Sequence, residues 1–152
     1  MSYSKRTAVL VAERDGDWSD WVESLRLEAD DIAIVLQRMG ESPSELATRV
    51  RERVQGLRCE GHLVAGALVG GERWDSDTLS ARSLMIRAMV SQMVVSGRGQ
   101  LFLDGGSQSG RGRHAMQALA SVVEDQIRDT GVEVHTSAGA PGAPEAPRRY
   151  AA

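Results

Sequence analysis

Along most of this sequence, short apolar runs rich in valine and leucine alternate with longer stretches of helical period, the pattern of a parallel sheet with crossover helices. Thr7 to Glu13 reads as the first strand, followed by the turn "RDGD" and a short helix carrying Trp18, Trp21, Val22 and Leu25. Ile32 to Leu36 is the second strand. The next helix begins in "SPSE", where Ser42 can accept from an N3 amide, Pro43 suits the first helical position and Glu45 can reach back, a capping box. Leu46, Val50, Val54 and Leu57 form its inner face. "HLVAGALVGG" is a third strand, apolar on both faces and therefore central.

A long helix from Ser76 or Asp77 to Ser96 follows, then "QLFLDG" as the fourth strand, a helix from His114 to Thr130 and the strand "VEVHT". The fold class expected is α/β, a five-stranded, mostly parallel sheet with helices on both faces, Rossmann-like or flavodoxin-like. One domain is expected over 1–136, and a flexible Pro/Ala-rich tail over 137–152 because that stretch cannot bury enough surface to offset ordering.

Composition narrows the partners. A net charge of −3 gives no basic field to attract nucleic acid or an anionic membrane, so neither is expected as a partner. The single cysteine, Cys59, and the lack of zinc-type spacing predict no internal disulfide and no metal site, and point to the cytoplasm. The apolar run after Lys5 and Arg6 is too short for a membrane span.

The candidate site lies in "LFLDGGSQSGRGRHAM", where a buried strand runs into a glycine-rich loop and then a helix. Asp104 would stand at the strand's end, where carboxylates meet ligands in such folds. Gly105, Gly106, Ser107, Ser109, Gly110, Arg111, Gly112 and Arg113 would present amides and cationic side chains at a helix N-terminus, a place that favours anions. The same residues also suit a plain solvated turn, and the spacing matches neither G-x-G-x-x-G nor the P-loop. Trp74 can stack on a base or lodge over the sheet edge, the latter being favoured. Met85, Met89 and Met93 form an i, i+4, i+8 row that reads as core, or as a dimer seam if exposed. No serine elbow accompanies the histidines, so no catalytic residue is assigned.

The element order, with a glycine-rich loop after the fourth strand, resembles the universal stress protein family. In register with that family's loop stand Ser107, Gly110, Ala120 and Ser121, the last matching a hydroxyl position, while Asp15 lies near the place of an adenosine-contacting aspartate. The resemblance implies a small non-catalytic protein, expected as a homo-oligomer, that binds ATP or another nucleotide, or a phosphorylated ligand, at the loop after strand four. The alternative is an interaction or assembly module, with a protein partner or as a homo-oligomer, in which that site has decayed.

Overall fold

A computed structural model of the chain describes residues 5–105 and 110–137. Its elements are β1 (Arg6–Ala12), α1 (Ser19–Arg26), β2 (Asp31–Leu36), α2 (Pro43–Leu57), β3 (His62–Val69), α3 (Ser76–Ser96), β4 (Gly99–Asp104), α4 (Gly110–Ile127) and β5 (Val132–Ser137). The strands form one sheet in the order β2-β1-β3-β4-β5, and every neighbouring pair is parallel. This is the Rossmann-like α/β architecture that the alternating pattern predicts.

Strand β1 lies centrally, with Thr7 to Ala12 all buried, because both its faces are covered. Its odd-numbered residues Val9 and Val11 join Leu68, Leu101 and Leu103 beneath α2, α3 and α4. Its even-numbered residues Ala8, Leu10 and Ala12 meet Trp21 and Leu25 of α1 on the other face. The chain steps one way from β1 to β2 and the opposite way thereafter. Right-handed crossovers therefore place α1 alone on its face and the three later helices together.

The capping box forms as expected: Ser42 Oγ accepts from the Glu45 amide at 3.1 Å, and Glu45 Oε1 accepts from the Ser42 amide at 3.0 Å. Met85, Met89 and Met93 are buried between α3 and the sheet, so that row is core. The boundaries that differ most from expectation are in the last helix and strand. Helix α4 begins at Gly110 rather than His114, and β5 runs on to Ser137. The glycines at the start of α4 lower intrinsic helix propensity, but Gly112 sits so close against Gly105 that only a residue without Cβ fits, and packing overrides propensity. Residues 138–152, which hold most of the expected tail, lie outside the described residues. Among the described residues no helix is long and apolar enough to cross a membrane.

Candidate functional site

The strand order reverses between β1 and β3, and in open α/β sheets such a reversal leaves a crevice at the carboxyl ends of the strands. The loops after β1, β2 and β3 surround a cleft of about 600 Å³ there, a size suited to a small molecule. Leu46 of α2 and Ala81 and Met85 of α3 make its apolar floor, while Arg14, Asp15, Arg38, Glu72, Arg73 and Asp77 form a charged rim.

At the back of the cleft stands Glu13, the residue after β1, only 7 % exposed. Its carboxylate accepts from Arg82 Nε and Arg82 Nη2, both at 2.5 Å, and from the Gly71 amide at 2.9 Å. Arg82, on α3, is wholly buried; its Nη2 also donates to the Arg73 carbonyl at 3.0 Å, and its guanidinium lies 3.8 Å over the Trp74 ring. A buried charge is tolerable only when paired and hydrogen-bonded, and this double contact supplies both. The pair ties the ends of β1 and β3 to α3. Trp74 is thereby lodged against the core and the arginine, as the packing reading of it predicts.

Other rim groups are held in place by the protein itself. Glu41 accepts from Arg49 Nε at 2.6 Å, and this hydrogen bond, aided by the Arg38 amide, holds its carboxyl below the usual range. Gln37 accepts from the Arg14 amide at 3.0 Å and donates to the Glu41 carbonyl at 3.0 Å, linking the first two loops. Asp75 caps α3 by accepting from the Thr78 amide at 2.9 Å, which, with Arg73 beside it, lowers its carboxyl to about 2. Arg82 Nη1 is buried with no hydrogen-bond partner among the described residues. Thr78 is 3 % exposed in the cleft wall, and its hydroxyl, beside the Asp75 carboxylate, helps to hold that group below its usual range.

Of the residues expected to hold a ligand after β4, those described are engaged by the protein itself or stand exposed on α4. Asp104 is buried on the α1 face, where its Oδ2 accepts from Trp21 Nε1 at 2.8 Å. The Gly105 amide donates to the Ser137 carbonyl at 3.1 Å, so it is already engaged by β5. Gly112 packs on Gly105 and Trp74, which closes the approach between them. Arg111 and Arg113 are exposed on the first turns of α4, and Ser121, three turns into that helix, donates to the Gln117 carbonyl at 3.0 Å. Gly110 opens the helix, whereas Gly106, Ser107 and Ser109 lie outside the described residues. Asp15 does line the cleft, on its rim.

Sequence reasoning missed Thr78 and Arg82, although a signal was present. Both fall on the apolar face of α3, at helical spacing with Ala81, Met85, Ile86 and Met89, and a polar residue on a core face has a partner or a task. Among the described residues no cluster of histidine, cysteine, aspartate or glutamate is arranged to hold a metal ion.

No protein-family model matches the chain, and no curated protein matches it. Solved structures do. A short-chain type dehydrogenase/reductase from Mycobacterium ulcerans superposes with a TM-score of 0.63 at 15% identity, over 90% of this chain and 67% of that one. A short-chain dehydrogenase from Rhodopseudomonas palustris gives 0.56 at 12% identity, over 96% of this chain and 89% of that one. A short-chain dehydrogenase from Streptomyces avermitilis gives 0.52 at 12% identity, over 90% of this chain and 65% of that one.

A Rossmann fold implies a dinucleotide cofactor, gripped by a glycine-rich turn after β1 through its pyrophosphate. The residues here do not fit that grip. The turn reads Glu13-Arg14-Asp15-Gly16, and the glycine packs inward, where a Cβ would meet Val69 Cγ1 at 2.9 Å. Glu13 fills the strand end, paired with Arg82, and already takes up the Gly71 amide, so that amide is not left for a phosphate. The expectation of a small non-catalytic binding or assembly protein is thus corrected by the solved structures it resembles. Its solved neighbours are dehydrogenases, its crevice lies at the β1–β3 reversal, and the fold they share is the Rossmann-like one.

Proposed function

We propose that this chain is an oxidoreductase-like Rossmann domain that binds a nucleoside, or a ligand with a comparable apolar ring and hydroxyl groups, in the cleft between the β1, β2 and β3 loops. The cleft itself carries the reading: it opens at the strand reversal where such folds take ligands, with the Thr78 hydroxyl buried in its wall. The apolar floor of Leu46, Ala81 and Met85 suits a flat ring, and the rim acids and arginines suit hydroxyls and polar ring edges. Support of a separate kind comes from the dehydrogenases whose fold it shares. The absent pyrophosphate grip means that the nucleoside part dominates recognition.

Calorimetric titration with adenosine, NAD and NADP tests this. Saturable binding is expected, with adenosine retaining most of the affinity. Thr78→Val is expected to weaken it by about tenfold, the value of one buried hydrogen bond. Asp77→Trp, at an exposed rim position, blocks the mouth and abolishes binding while the circular dichroism stays unchanged. Folded wild-type protein that binds none of the three overturns the nucleoside reading.

A further inference from the structure

Helices α2 and α3 pack side by side, and their outer surfaces enclose a second concavity of about 380 Å³. Ala47 and Val54 of α2 form its floor, and Leu84 and Ala88 of α3 line its side. The apolar surface continues along α3, where Leu84 is 54% exposed and Val95 is 76% exposed. A helix in a monomer normally turns its outer face polar, and α3 departs from that rule. Leu84, Ala88, Ser91 and Val95 recur at helical spacing, and the Ser91 hydroxyl is occupied by the Arg87 carbonyl at 2.8 Å.

The charge in this groove is one-sided. Its lining includes Arg51 and Arg87 and no aspartate or glutamate, although the chain as a whole has 21 acidic residues against 18 basic ones. Beyond Asp77, α3 carries no carboxylate at all. Neither arginine takes part in an ion pair among the described residues, and both are exposed.

We propose that the α2–α3 groove is a docking surface for an amphipathic helix of a partner protein, one that sets glutamates or aspartates on either side of an apolar stripe. From Ser44 to Gln55 the groove runs about 16 Å along α2, room for about three helical turns, and a helix laid between two others is a recurrent mode of recognition. Charge complementarity selects this occupant. A second copy docked by the same face would bring two pairs of Arg51 and Arg87 together with no acid between them, since a two-fold interface apposes identical surfaces. The chain's own segment after Ser137 carries Arg148 and Arg149 against a single Glu145, which is the wrong sign.

The probe is a fluorescein-labelled synthetic helix of about four turns, with leucines at i, i+4 and i+7 flanked by glutamates, and its counterpart with every glutamate replaced by lysine. Anisotropy with the full chain is expected to show binding of the glutamate peptide, weakening as salt is added, and none of the lysine peptide. The double variant Arg51→Glu/Arg87→Glu, both positions exposed, is expected to lose about tenfold in affinity for the first peptide and to gain binding of the second. Ala88→Arg is expected to abolish binding by filling the groove. Equal binding of both peptides, binding of neither by folded wild type, or an affinity unmoved by the double variant overturns the proposal. A dimer in sedimentation that dissociates on Ala88→Arg also overturns it, in favour of a second copy.

Discussion

Two loop regions lie at the same edge of the sheet, and they are built on opposite principles. The sequence after β4 is rich in glycine, and the described residues on either side of it pack together: Gly112 lies on Gly105, the Gly105 amide is engaged by Ser137, and Asp104 turns to Trp21. The cleft between β1 and β3 has charged, bulky walls, and it stays open at about 600 Å³ because Glu13 and Arg82 brace it. Glycine permits a close approach of backbones as readily as a ligand does, so its abundance marks proximity rather than vacancy. A braced ion pair cannot collapse without stranding a charge, and space next to it persists.

The brace is the place to break this contrast. Arg82→Met is expected to cost about 3–5 kcal/mol in urea unfolding, because it leaves the Glu13 carboxylate buried without its partner. The double variant Glu13→Gln/Arg82→Met should recover most of that loss. A single variant as stable as wild type would show that the pair does not hold the cleft open. On the glycine side, Gly112→Val is expected to cost about 1–3 kcal/mol by overpacking against Gly105 and Trp74. A neutral result in the same unfolding experiment would mean that this contact has room, and that the difference between the two regions is smaller than their packing indicates.

The architecture was legible from local pattern, whereas the site was not. Strand β3 declared itself by an unbroken apolar run, and α2 by Ser42, Pro43 and Glu45, because period and capping are written in neighbouring residues. The cleft depends on which strands lie side by side. Glu13 and Arg82 are 69 residues apart in sequence, and nothing near either announces the other. The strand order that brings Glu13 beside Gly71 is a tertiary fact. The glycines after β4 drew attention because their spacing is local, and the close contact that uses them is not. Arg82 on the core face of α3 was the one available clue, since a charge amid Met85, Ile86 and Met89 needs a partner.

Thr78 sharpens the comparison because it serves both the cap and the cleft. Its hydroxyl helps to hold the Asp75 carboxylate, so Thr78→Val is expected to lower stability by about 0.5–1 kcal/mol. That same variant is the one expected to weaken nucleoside binding. Binding weakened tenfold by a variant that stays folded would place the hydroxyl in the ligand's service, whereas unchanged binding would make it part of the cap alone.

The smallest effect concerns how each region holds the helix that follows it. Helix α4 starts against a glycine contact that does not titrate, but α3 starts on the Asp75 carboxylate, which accepts from the Thr78 amide. That hydrogen bond, together with the Thr78 hydroxyl and Arg73 beside it, lowers the Asp75 carboxyl from 3.8 to about 2. The folded state therefore binds this proton less readily than the unfolded chain. Its contribution is fully present above the unfolded value and fades as pH falls through the folded one. Asp75→Ala is expected to lower Tm slightly at pH 7, the difference from wild type shrinking between pH 3.8 and about 2. A difference that holds constant down to the acid limit would show that the cap acts through shape and not charge, and the two helix starts would then be alike in being insensitive to pH.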